Sequence, residues 1–244
     1  MFTNAKLIAD EPVAGLLSEE AGNDTWKGGV WKDKAFNGYW YTGRFKSGTF
    51  CGVWGNGVWE NGLWVSGTWY NGEWRDGVWN SGSWLSGHWR DGTWKDGNWY
   101  NGTWHHGVWN RGLFKGGTWV KGTWNRGIMN GGEWINGHWH GGEWQSGTWK
   151  SGTWRDGRWH GGHWHDGDWI FGDWVNGVWE NGSWHGGTWH NGSWSKGDWW
   201  GGTWKGGRWK SGTWLGGTWV DGYIYNGAEG FVYSKVSPKE FFKY

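Results

Sequence analysis

From Gly52 to Ile224 the chain repeats one five-residue unit, G-x-W-x-x, 35 times without a slip of register. Glycine fills the first slot in all 35 copies and Trp the third in 32, with Phe114, Met129 and Ile224 as the only substitutes. This period excludes an α-helix, because glycine at every fifth position would not propagate one and a period of 5 rotates Trp off any single helical face. A repeat of this length points to an array whose units cannot bury their apolar side alone and must stack.

Composition follows from the repeat: 36 of 244 residues are Trp and 53 are Gly, far from ordinary globular usage. With 23 basic and 22 acidic residues scattered in both signs, no basic cluster marks a nucleic-acid groove or an anionic membrane surface. Cys51 is the single cysteine, so a disulfide framework is excluded. The first residues, "MFTNAKLIADEPVAGLLSEEAG", lack the basic start and apolar run of a signal peptide, which implies synthesis in a cytosol.

The flanking slots specify the local structure. Ahead of Trp stands Thr in eleven repeats and Val in five, β-branched residues suited to a pleated surface. Ahead of Gly stands Asn, Asp, Ser or Gly in most repeats, giving turn dipeptides in which glycine supplies a positive φ. Each unit is therefore a very short strand followed by a bend.

Two folds can use such a unit. Stretches such as "WENGLW", "GEWRDG" and "GTWKDG" resemble the MORN repeat, in which strands meet at an Asn-Gly-like turn. The resemblance spans about six residues at a time and implies a coiled, single-layer antiparallel β-meander. Parity opposes it. Residues flanking a two-residue turn direct their backbone groups at the partner strand, so a uniform meander needs strands of even length, and a unit of five leaves three. A parallel coil has no such conflict, since pairing runs between coils and the bends lie within one. There Gly and Trp, two apart, share one side of the strand. In period and slot logic the repeat resembles the pentapeptide-repeat family, which implies an all-β parallel β-solenoid with square coils of four units, here with Gly for the usual small residue and stacked internal Trp for Leu or Phe. Trp59, Trp64, Trp69, Gly62 and Gly67 represent the expected interior, with Gly giving up the volume that Trp takes. Burying one Trp supplies roughly 4–6 kcal/mol against about 1.5–3 kcal/mol for Leu, which offsets much of the entropy of ordering five residues. Each buried indole N–H then needs an acceptor, for which a turn carbonyl is the natural choice. Four units per coil give a rod of about 40 Å, three a longer one, and a flat meander about 165 Å.

Upstream the aromatic spacing stutters: Trp31, Phe36, Trp40, Phe45, Phe50 and Trp54 follow one another at 5, 4, 5, 5 and 4. The chain thus divides into an N-terminal cap or attachment segment (1–25), degenerate leading repeats (26–53), the regular array (54–227) and a C-terminal cap or attachment segment (228–244). A helix is expected around "DEPVAGLLSEEAG", with Asp10 as N-cap and Pro12 in its first turn. At the other end "GFVYSKV" reads as a strand and "SPKEFFKY" as a helix with a Ser237/Glu240 capping box.

For chemistry, "RWHGGHWHDGDW" offers His160, His163, His165, Asp166 and Asp168 as a weak zinc candidate. A solvated surface is the stronger reading, because the same slots elsewhere take Arg, Lys, Tyr and Val. No catalytic constellation or phosphate-binding loop is present in the sequence, and Cys51 has no base beside it. No cofactor is expected. Trp200 is the one Trp in an outward slot and, with Phe241, Phe242 and Tyr244, forms the candidate contact surface for protein partners, self-assembly or a glycan. The expectation is a non-enzymatic structural or interaction protein, a rigid spacer or tip in an extracellular assembly such as a phage fibre or virion surface. Glycine-and-aromatic repeats of this style resemble virion structural proteins of marine phages. The alternatives are a cytoplasmic protein-binding module, as some pentapeptide-repeat proteins are, and a sugar- or metal-binding adhesin.

Overall fold

The computed structural model describes residues 17–20, 23–26, 30–31 and 34–243. The chain is a parallel β-solenoid. Each strand of the regular array pairs in register with the strand three units further on, as Trp79 with Trp94, Trp84 with Trp99 and Trp89 with Trp104. Among the described residues no repeat pairs with the next one along the chain, which rules out the meander. One coil therefore holds three units, and the solenoid is triangular where the pentapeptide resemblance implied a square.

We name the three sides by their inward residues. Face I runs through Trp59, Trp74 and Trp89; face II through Trp64, Trp79 and Trp94; face III through Trp69, Trp84 and Trp99. Among the described residues face I carries 15 strands, the last of them antiparallel, so thirteen parallel steps span about 60 Å.

Most strands are only two residues long, such as Val78–Trp79 and Thr93–Trp94. The ladder uses two bonds per unit: the residue before Trp donates its N–H to the glycine carbonyl one coil below, and the residue after Trp donates to the Trp carbonyl. Val78 to Gly62 and Asn80 to Trp64, both 2.8 Å, are one such set. At the bend, an Asn or Asp ahead of glycine accepts the glycine N–H, as Asn61 Oδ1 does from Gly62 at 2.6 Å and Asp156 Oδ1 from Gly157 at 2.7 Å. This explains the preference for short polar residues there: the side chain occupies a donor that the ladder leaves over.

Glycine is needed for two reasons. Gly137 has φ +131°, a region open to little else, and a Cβ there would stand 2.5 Å from the Gly122 carbonyl oxygen and 3.2 Å from Cζ2 of Trp134. The sequence-based account, small volume beside a large ring, captures only the indole contact. Close approach of stacked backbones is the stricter demand.

Inside, the rings form three columns. Along a column consecutive indoles are nearly parallel, as Trp59 on Trp74 at 4.6 Å and 6°. Within a coil they meet edge to face, as Trp59 with Trp64 at 6.1 Å and 71°. Both are favoured arrangements of the aromatic quadrupole, and three edge-to-face rings close the centre of a triangle. Nearly every ring in register is fully buried.

The stutter is a shorter coil. Trp40 pairs with Trp54 and Phe45 with Trp59, because the II–III corner there lacks one residue. Between the strands Gly48–Trp54 and Leu63–Trp69 the register shifts after Phe50, where Val65 is the extra residue and the full-length coil begins. Leading and regular repeats share one stack, Trp40 on Trp54 at 4.7 Å.

Candidate functional site

The expected N-terminal helix falls mostly outside the described residues, Asp10 and Pro12 included. Its described part, Leu17–Glu20, is instead a strand paired antiparallel with Asn23–Trp26. The C-terminal segment folds back over part of the solenoid's end. Gly222–Asn226, the last parallel strand of face I, turns back into Gly230–Ser234, which covers its open edge. Ser234 O accepts the Trp219 indole N–H at 3.1 Å. Pro238–Phe241 then forms the expected short helix, with Glu240 accepting from the Ser237 backbone N–H at 3.3 Å and hydroxyl at 3.2 Å. It contacts the strand Thr213–Trp214, and Phe241 packs against the end of the aromatic core. Phe241 is thus largely spent on closing the solenoid, whereas Phe242 projects into solvent with its ring edge-on to Phe241 at 5.1 Å. Tyr244 lies outside the described residues.

The histidine cluster does not converge. His163 and His165 flank Trp164 on face I, His160 follows Trp159 of face III, and Asp168 precedes Trp169 of face II. His165 Nδ1 meets Glu180 at 2.7 Å and His160 Nε2 meets Glu143 at 3.6 Å, each across one coil. Asp166 accepts from Gly167 N–H and from Asn181. Among the described residues no group of three or more His, Cys, Asp or Glu side chains is placed to hold a metal ion. Only His163 and His165 share a face; His160 and Asp168, one repeat away on either side, sit on the other two sides of the triangle. Cys51, in the short corner, lies 3.3 Å from Ser66 Oγ.

The indole donors find turn carbonyls only in part. Trp59, Trp64, Trp164, Trp184, Trp189 and Trp194 donate to the carbonyl 17 residues ahead at 3.0–3.1 Å. Others, Trp104, Trp159 and Trp174 among them, keep the stack with the N–H outside bonding geometry. There stacking sets the ring position and the donor follows.

Trp200 is 53% exposed, and its ring lies parallel to that of His185 one coil below, with centroids 6.1 Å apart. It stands at the II–III corner in an outward column running Ile170, His185, Trp200, Leu215, all exposed or half-buried. Sequence reading found Trp200 by its slot but missed Phe171, which is 58% exposed beside this column. The missed signal was a large apolar residue in the slot ahead of glycine, where turn formers otherwise prevail. No protein-family model matches the chain, and no similar curated protein or solved structure was found.

Proposed function

We propose that this chain is a non-enzymatic structural protein, a rigid spacer or tip in an extracellular assembly such as a phage fibre or virion surface. The observation that carries the reading is the interior: three columns of rings, parallel along each column and edge to face between columns, run nearly the length of the rod. Bending such a rod means unstacking rings on one side while straining paired backbone on another, so the fold favours stiffness over adaptable contact. The hairpin over the last face I repeat leaves Phe242 exposed and available to a neighbour. In its unit the protein is pentapeptide-repeat-like, and its triangular coil sets it apart from the square one.

The test is location. Antibody against the chain should follow purified extracellular particles through a density gradient. Recovery only in the soluble cytosol of producing cells would contradict the reading and favour a cytoplasmic binding module.

A further inference from the structure

The solenoid's outer corners are mostly lined by short polar or charged residues, and the II–III corner in its C-terminal half departs from this. A groove of about 390 Å³ runs there, floored by the glycine ladder Gly142, Gly157, Gly172 and Gly187. One side is formed by Glu143, Arg158, Asp173 and Thr188, stacked in register one coil apart. Asp156 and Phe171 form the other. The Phe171 ring leans over Gly186, where a Cβ would meet its Cδ2 at 3.4 Å. Beyond Phe171 the same slot holds Gly186, Gly201 and Gly216, so the wall drops away. The strip then opens between Trp200 and the register-paired hydroxyls of Thr188, Thr203 and Thr218.

We propose that this strip is a saccharide-binding site for an extended, neutral oligosaccharide lying parallel to the solenoid axis. A pyranose ring has an apolar C–H face and an edge of hydroxyls. The strip presents matching halves, with flat exposed rings of Phe171 and Trp200 on one side and carboxylates, a guanidinium and hydroxyls on the other. Charge selects the class. Three carboxylates, Glu143, Asp156 and Asp173, stand against two guanidiniums, Arg158 in the groove and Arg155 in the column that carries Trp200, with His160 and Gln145 beside Glu143 and His190 beside Asp173. A net negative groove repels phosphates, sulfates and uronates while accepting hydrogen bonds from neutral hydroxyls. The geometry gives the direction, since the Glu143–Thr218 wall repeats every ~4.8 Å along the axis while the corner is only a few side chains wide. From Glu143 to Thr218 this polar wall extends five coils, about 24 Å, long enough for several linked rings. Phe171 and Trp200 lie outside the stacked core, so the fold does not account for keeping them apolar.

The full chain should be run by affinity electrophoresis through gels containing, in turn, mixed-linkage β-glucan, galactomannan, xylan and dextran, with alginate and heparin as acidic controls. At least one neutral polysaccharide should retard it. Phe171→Ala and Trp200→Ala should each weaken that retardation at least tenfold while leaving the near-ultraviolet circular dichroism of the buried indoles unchanged. Three results would overturn the proposal: no retardation by any of the four neutral polymers, equal retardation of the Phe171→Ala/Trp200→Ala double variant, or preference for alginate or heparin. Binding by the isolated chain is read independently of where the rod is deployed, so this proposal and the spacer reading fail separately.

Discussion

Gly137 lies against Gly122 of the coil below so closely that an added Cβ would stand 2.5 Å from the Gly122 carbonyl oxygen, the acceptor of the ladder bond from His138 N–H at 3.0 Å. The Gly137→Ala variant must leave its positive-φ conformation or displace that carbonyl. Strain and a weakened ladder bond together should cost about 2–4 kcal/mol. Gly141, in the slot before glycine, has only the Asn125 carbonyl oxygen at 3.7 Å and the Asp156 carbonyl oxygen at 4.0 Å near its Cβ position. Gly141→Ala should fall within about 0.5 kcal/mol of the parent. Denaturant midpoints of the two variants make the comparison, and equal losses would show that glycine acts through composition alone.

Phe114 and Met129 are consecutive members of the face III column and interrupt its indole stack. Trp99 to Phe114 is 5.6 Å, against 4.6–5.1 Å between stacked indoles elsewhere, as in Trp54 on Trp69 and Trp204 on Trp219. Replacing both together, Phe114→Trp with Met129→Trp, should extend the column and raise stability by about 0.5–1.5 kcal/mol. Trp134→Ala, in an unbroken part of face I, should cost about 3–5 kcal/mol. Thermal melts of the two variants check the account, and a destabilised double variant would show that the core at this coil is fitted to the smaller pair.

The strand-and-bend unit and the shared interior of Gly and Trp were legible in the sequence because they depend on local backbone preference and on which side of a short strand a residue occupies. The number of units per coil depends on closure, and all three faces draw on the same residue types, so the regular array hides it. The signal lay in the stutter. The short steps Phe36 to Trp40 and Phe50 to Trp54 recur after three steps, which is one turn of the shorter coil. Phe114 and Met129, three units apart, mark one column in the same way. The placement of the histidines was hidden for the same reason, since sorting His160, His163 and Asp168 onto separate faces requires knowing the coil.

Acid should destabilise the solenoid through two histidines. Burial, then the guanidinium of Arg90 and the ring of His88, hold the His105 imidazole below its ordinary value of 6.5, against an opposing pull from Glu73. Burial, then Arg155 and His138, lower His140 in the same way. The unfolded chain takes up these protons first, so the contribution is complete above about pH 6.5 and is lost as pH falls below that value toward the folded-state pKa. In urea titrations the His105→Asn/His140→Asn variant should lose less stability between pH 7 and pH 5 than the parent. A steeper loss in the variant would reverse the sign.

The coil of three units is the central claim, and the separation of Thr93 from Thr213 tests it. The two residues lie on face II, eight register-paired coils apart. With Cys51→Ser as background and spin labels at both positions, double electron–electron resonance should give a distance of about 38 Å, eight steps of ~4.8 Å. A distance of about 29 Å, the six steps of a square coil, or one beyond about 100 Å, as in a flat meander, would contradict it.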